Sequence, residues 1–160
     1  MENKLILKSK RLLTQTRVMT VSVAKDENPW SAPVYFVYEK SAFFFFSNPE
    51  SRHIQYALDT KKMCASIFHD ADNMEDIFGI QMSGCMEKIC AGIQYIKIVK
   101  AYVNKFNFLS QQFGEQILKN PDFFKEKFKS DLYGFYPETI FLSDNSRSAN
   151  KRISIDIKDI

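Results

Sequence analysis

Two short connectors constrain this chain more than anything else in it. Lys25-Asp26-Glu27-Asn28-Pro29 joins one period-two segment to the next, and Glu39-Lys40-Ser41 joins that one to a third. The first segment, Arg17 to Ala24, sets Val18, Thr20 and Ser22 against Met19, Val21 and Val23, the pattern of a half-buried strand. Trp30 to Tyr38 is rich in Val, Tyr and Phe, and Ala42 to Ser47 holds four consecutive Phe. A parallel crossover needs a dozen or more residues, so strands joined this tightly are antiparallel neighbours.

The remaining segments extend this start. Leu5, Ile6, Leu12 and Leu13 among basic residues predict a short N-terminal amphipathic helix. Asn48-Pro49-Glu50 reads as a helix start, with Asn capping and Pro in the first turn, and the helix runs to about Leu58. Met63 to His69 is a fourth strand, Asp70 to Asp76 an acidic loop, and Ile77 to Ile89 a fifth strand. Gly84 inside that strand marks a bulge or a close backbone approach. Ile96, Val99, Val103 and Phe106 recur at helical spacing, which predicts a helix over Ile93 to Phe108. Shorter helical pieces follow over Gln111–Lys119 and Asp122–Phe128, separated by Pro121. Leu132 to Leu142 is a sixth strand, placed near an edge or a bend by Pro137. Asp144 to Asn150 is a polar loop, and Arg152 to Ile157 a seventh strand. The sum is an α+β, mostly β chain: a six- to seven-stranded antiparallel barrel with flanking helices. It reads as one domain over 1–160, with a barrel core over about 16–90 and 131–157 and a helical insertion over about 92–128.

Composition narrows the function classes. The net charge is 22 − 19 = +3. That near balance, with Lys97 and Lys100 on one helix face as an ordinary solvated pair, argues against nucleic acid as a partner. The longest notable apolar run, Ala42 to Phe46, is far too short to span a bilayer, and the N-terminus lacks a signal peptide's apolar stretch. A cytoplasmic protein without a membrane partner is expected. Cys64, Cys85 and Cys90 are odd in number, match no zinc spacing and sit beside apolar residues, so they read as buried reduced thiols. His53 and His69 belong to no metal-ligand spacing, and Asp70, Asp72, Glu75 and Asp76 lack the glycine of a calcium loop. No metal is expected.

Two stretches carry candidate chemistry. In Phe46-Ser47-Asn48-Pro49-Glu50-Ser51-Arg52-His53 a strand runs directly into a helix start, where unpaired N–H groups and the dipole favour an anion. Ser47 and Ser51 add hydroxyls, Arg52 a planar fork suited to phosphate, and His53 a further donor. Together they could cradle a monophosphate. From these residues alone an ordinary Asn-Pro cap with an exposed Arg is the commoner outcome. In Trp30-Ser31-Ala32-Pro33-Val34-Tyr35-Phe36, Pro33 removes a donor and points to an edge or bulge. A flat heterocycle could lie along such a strand; a core strand with its Pro at an edge is the competing reading.

The order of these motifs, followed by Gly79-Ile80-Gln81-Met82-Ser83-Gly84, resembles the pyridoxamine 5'-phosphate oxidase-like family of flavin mononucleotide-binding split barrels. The resemblance covers about Thr16 to Ile89. The tail, from Lys100-Ala101-Tyr102 through Phe141-Leu142-Ser143-Asp144-Asn145 to Lys151-Arg152, is similar to a small branch of that family. It implies a Greek-key split barrel working as a homodimer, with two flavin sites at the interface. Ser51 and Arg52 would hold the flavin phosphate with help from Ser47; Pro33, Val34 and Tyr35 would lie along the ring; Gln81 would reach it too. Phe43 and Phe45 would point to one side of their strand and Phe44 and Phe46 to the other, one set filling the barrel and the other facing a subunit interface or the flavin edge. Three departures stand out. His53 replaces the family's Lys, Val34, Val37 and Tyr38 replace basic residues, and the C-terminal Arg-His-Arg cluster for pyridoxine phosphate is not visible. They argue against pyridoxamine oxidation and for a flavin affinity below the family's norm. The resemblance thus implies a flavin mononucleotide-dependent oxidoreductase of unknown substrate, or else a flavin- or haem-binding carrier or sensor on the same barrel.

Overall fold

Both short connectors fold as two-residue hairpin turns. Asp26 and Glu27 join β1 (Val18–Lys25) to β2 (Asn28–Glu39), and Lys40 and Ser41 join β2 to β3 (Ala42–Ser47). All four turn residues have left-handed φ, at 49°, 62°, 47° and 66°. That is the primed-turn geometry whose twist matches the flanking strands. The computed structural model describes residues 2–146 and 152–160.

The fourth strand then returns to the first. After α2 (Arg52–Thr60), β4 (Met63–His69) pairs antiparallel with β1, Thr20 opposite Ser66. The local strand order β3-β2-β1-β4 is a Greek key with α2 as its long connection. β5 (Phe78–Lys88) and β6 (Asp131–Asp144) extend the sheet, and β6 closes it on β3, with Phe43 opposite Phe135. A six-stranded antiparallel barrel results, and β7 (Ile153–Ile155) adds to the far half of β6. The barrel is split because β6 serves two partners in turn. Its first residues pair with β3 and its last with β7, so β3 and β7 never meet. Helix α1 (Glu2–Gln15) buries Leu5, Leu12 and Leu13 against the barrel core.

The barrel interior holds the inward rows: Met19, Val21 and Val23 of β1, Phe36 of β2, Phe43 and Phe45 of β3, Ile67 of β4, and Tyr133 and Phe135 of β6. A second core lies outside the barrel, where four helices cover the outer surface of β2, β3 and β6. These are α3 (Ile93–Lys105), α4 (Asn107–Phe113), α5 (Gln116–Lys119) and α6 (Phe123–Phe128). Phe44 and Phe46 belong to this second core, and Phe46 stacks on Phe124 at 3.7 Å between ring centroids. The expectation that the row not filling the barrel faces a subunit interface or a flavin edge is therefore wrong: that row is Phe44 and Phe46, and the chain's own helical insertion covers it. The Phe excess is divided between two cores.

Gly84 is a bulge. The register between β5 and β6 shifts between Ser83 and Gly84, where Gly84 meets Pro137. A Cβ on Gly84 would lie 2.0 Å from the Tyr136 carbonyl oxygen, so only glycine fits. Pro137 lies between the β3-paired and β7-paired parts of β6, where β6 pairs with β5 alone, so it stands at a local edge and at the bulge, as expected.

Other expectations move. Asn48-Pro49-Glu50 is a turn before α2 and not its first turn, because the Asn48 Oδ1 accepts from the Glu50 N–H at 2.8 Å. Ser51 is the N-cap. The helix expected to Phe108 ends at Lys105, where Phe106 leaves helical dihedrals (φ −113°, ψ 65°) as its ring enters the second core. Cys64 and Cys90 are exposed and Cys85 half-buried, against the reading of buried thiols. On β4 the inward places go to Met63 and Ala65, and the strand period turns Cys64 outward between them. The C-terminal part of the predicted 144–150 loop, together with Lys151 of the family-like tail, lies outside the described residues.

Candidate functional site

The predicted residues fall into three groups. The first is at the start of α2. Ser51 has extended backbone (φ −63°, ψ 140°) and its hydroxyl makes no capping hydrogen bond. Its carbonyl accepts from Ile54 and Gln55, so the helix begins properly, while the N–H groups of Arg52 and His53 find no acceptor among the described residues. Arg52 is exposed and pairs with no carboxylate among the described residues. Its guanidinium lies over the Trp30 ring, 4.3 Å from the centroid. An ion pair between Lys25 and Asp59 ties the same β1–β2 hairpin to the far end of α2.

The second group points the other way. Ser47 ends β3 facing inward, and its Oγ shares a hydrogen bond of 2.8 Å with the His53 Nε2. Both side chains are buried. Burial pushes the His53 imidazole below its ordinary value, so the neutral ring is favoured. Neighbours on a helix point about 100° apart, and Arg52 outside with His53 inside follows from that spacing. Ser47 and His53 thus anchor α2 to β3, and only Ser51, Arg52 and the free N–H groups face outward.

The third group lies on the outer surface of the sheet. Pro33 stands opposite Thr20, Thr20 opposite Ser66, Ser66 opposite Gln81, and Gln81 opposite Phe141. Directly opposed residues share a face, so these form one row across five strands, spanning roughly 14 Å from Pro33 to Gln81 at strand spacing. Residues 28–35 of β2 pair with β1 alone, so the Pro33 position is at an open edge and costs no ladder hydrogen bond. Val34 points into the barrel core and reaches this surface only through its backbone. Tyr35 points outward, 49% exposed, with its ring edge against Phe106 and Phe108. Phe68 and Phe141 are 59% and 39% exposed on the same surface.

The sequence reading missed Trp30 as Arg52's support, and it missed Thr20 and Ser66 in the row. The signal for the last two was present. The Asp26-Glu27 turn fixes the β1–β2 register, and strand period then puts Thr20 beside Pro33. Two hollows lie elsewhere. One of about 570 Å³ runs beneath Lys4, Lys8 and Arg11 of α1, and one of about 620 Å³ lies between Phe44, Ile93 and Tyr136. In the single chain Pro33, Ser66 and Gln81 are exposed and Thr20 is half-buried. Among the described residues no group of three or more His, Cys, Asp or Glu could hold a metal ion, and no helix is long and apolar enough to cross a membrane.

No family model matches the chain. A UPF0306 protein of Klebsiella pneumoniae is 26% identical over 98 residues, which is 60% of this chain and 66%, just under two thirds, of that protein. Three solved structures show the fold. A FAD-binding protein from Mesorhizobium loti superposes with a TM-score of 0.65 at 15% identity, over 85% of this chain and 90% of its own. A protein from Clostridium acetobutylicum related to general stress protein 26, of the pyridoxinephosphate oxidase family, does so at 0.65 and 13%, over 99% of both chains. A heme binding protein from Mycobacterium smegmatis reaches 0.72 at 9%, over 96% of this chain and 58% of its own. This chain has their split-barrel fold.

Proposed function

We propose that this protein binds flavin mononucleotide as a homodimeric split barrel and acts as an oxidoreductase on a substrate other than pyridoxamine phosphate. The observation that carries the reading is the state of Arg52: exposed, without a carboxylate, and beside a hydroxyl and two backbone N–H groups that also have no partner. Those donors suit a phosphate at a helix start. Along β2, Pro33 lies three residues from Trp30, about 10 Å at strand rise. The two stand on opposite faces, and because this part of β2 is an open edge, a ribityl chain passing round that edge would join a phosphate on Arg52 to a ring against Pro33. The ring would lie over the Pro33–Thr20–Ser66–Gln81 row, with the Gln81 amide as donor or acceptor at its edge. The exposed row is closed over the ring only when a second copy covers it, which is why the reading requires a dimer. The FAD-binding protein from Mesorhizobium loti, which has this fold, supports the assignment.

When bound, the flavin supplies the electron chemistry. The row that would face it contains no ionisable side chain, so these residues orient the ring and exclude water and do not transfer protons. That same observation favours a second reading, a flavin or haem carrier or sensor without turnover, and a haem-binding protein shares the fold. Titration of the purified protein with flavin mononucleotide should quench flavin fluorescence with saturation; no binding at millimolar flavin removes the first reading. Bound flavin that neither NADH nor NADPH reduces would favour the carrier. A Soret band on adding haem, with no flavin bound, would select haem.

A further inference from the structure

Trp30 is the chain's sole tryptophan. It occupies the inward-facing row of β2, opposite the buried Val23, yet 42% of it is exposed. One face of its indole carries the Arg52 guanidinium. An exposed arginine at a helix start has many rotamers to lose before it can hold a ligand, and both its length and its charge favour solvent. A carboxylate partner would fix it but would occupy its donors. A ring face fixes it differently. The five N–H groups of a guanidinium lie in its plane, so stacking leaves them all free at the edge. Indole is the best of the aromatic faces for this. The Lys25–Asp59 ion pair holds the same hairpin to the same helix, so the ring and the guanidinium are kept in register from both ends of α2.

Stacking alone does not make a site. The Arg17 guanidinium lies over Phe106 and Phe108 at 5.6 and 5.3 Å, at the start of the seven-residue α4, where the N-cap is Phe106 and offers no hydroxyl. At Arg52 a cation over an indole face, a hydroxyl and backbone donors without partners among the described residues coincide. We propose that Trp30 is a positioning residue of this site, holding the Arg52 guanidinium flat with its donor edge open to the terminal phosphate of a flavin nucleotide. This rests on the flavin reading above and adds to it that phosphate recognition depends on a residue that need not touch the phosphate.

The test compares dissociation constants for flavin mononucleotide and riboflavin in the wild type, Trp30→Ala, Trp30→Phe and Arg52→Ala. Trp30→Ala should weaken the nucleotide about 3–10-fold and leave riboflavin unchanged, and Trp30→Phe should recover part of the loss. Adding Trp30→Ala to Arg52→Ala should cost nothing more, because the two act through one contact. The proposal is overturned if Arg52→Ala weakens the nucleotide while Trp30→Ala does not. It is equally overturned if Trp30→Ala weakens nucleotide and riboflavin alike, which would mean contact with the ring or a general loss of fold. A wild type that does not prefer the nucleotide, with Arg52→Ala silent, sinks the phosphate site itself and the proposal with it.

Discussion

The outer surface of the sheet has two halves, and they are finished differently. Over β3 and the adjoining ends of β2 and β6, Val37, Ala42, Phe44 and Leu132 are buried beneath α3–α6. Over β1, β4 and the far half of β5, the outward residues include Thr20, Ser66, Gln81 and Ser83, and no helix covers them among the described residues. The difference follows from the side chains. Two phenylalanines pointing outward from one strand cannot be left in water, and the helical insertion buries them. Small hydroxyls and an amide need no cover. At the rim of the bare half, however, Tyr35, Phe68 and Phe141 remain substantially exposed. Large rings framing a flat polar row are what a surface looks like when its cover is a ligand or another chain.

Truncating one ring on each half breaks the comparison most directly. Phe124→Ala removes the stacking partner of Phe46 from a buried position. It should cost about 3–5 kcal/mol in urea unfolding. Phe68→Ala on the bare half should cost less than about 0.5 kcal/mol in the monomer. Equal losses would mean the two halves are not distinct. The second effect is on association. Ser66 is at the centre of the bare row, and Ser66→Arg would bury an unpaired charge in any interface formed there, a penalty of about 3–5 kcal/mol. Sedimentation should show the variant monomeric at concentrations where the wild type is dimeric, with its unfolding midpoint unchanged. A dimer that survives Ser66→Arg uses another surface.

The covered half also has a pH signature. Lys105 of α3 donates to the Leu13 carbonyl at the end of α1, 3.0 Å away, and lies over the Phe36 ring at 3.9 Å. Burial, and then the charge of Arg17, push its amine from 10.5 down to about 8. Between those two values the unfolded chain holds more protons than the folded one, so this group makes stability rise with pH across about pH 8 to 10.5. Lys105→Met should flatten that rise and be relatively more stable at pH 7 than at pH 10 in chemical denaturation. A wild-type profile with no slope in that window would show that the amine keeps its proton.

How much of this was legible in the sequence varies by element. The antiparallel start followed from two connectors, since their length admits little else. Gly84 announced its bulge because a glycine within a strand has few other uses. The helix start was misplaced because Asn, Pro and Glu suit a turn as well as a first turn, and Asn48 chose the turn. Cys64 was misread from its neighbours along the chain, which in a strand lie on the opposite face. The helical insertion could be seen, but not its destination: nothing local shows that Phe124 meets Phe46 across nearly eighty residues of chain. At the candidate site the residue types were visible and the pairings were not. That Ser47 would be taken by His53, and Arg52 by Trp30, depends on how α2 lies on the hairpin.

The smallest effect tests whether the comparison reaches the backbone. The two primed turns have the same conformation, but the Asp26-Glu27 turn ends the bare part of the sheet and the Lys40-Ser41 turn adjoins α3. A left-handed residue other than glycine carries a strain of roughly 1–2 kcal/mol, part of which glycine gives back as lost chain entropy. Glu27→Gly and Ser41→Gly should therefore each stabilise by about 0.5–1 kcal/mol, and by the same amount, because the strain is local. Thermal unfolding of the two variants side by side reads this. A gain at Glu27 with none at Ser41 would mean that packing from α3 already sets the second turn, and that the cover on this half supports the backbone as well as the phenylalanines.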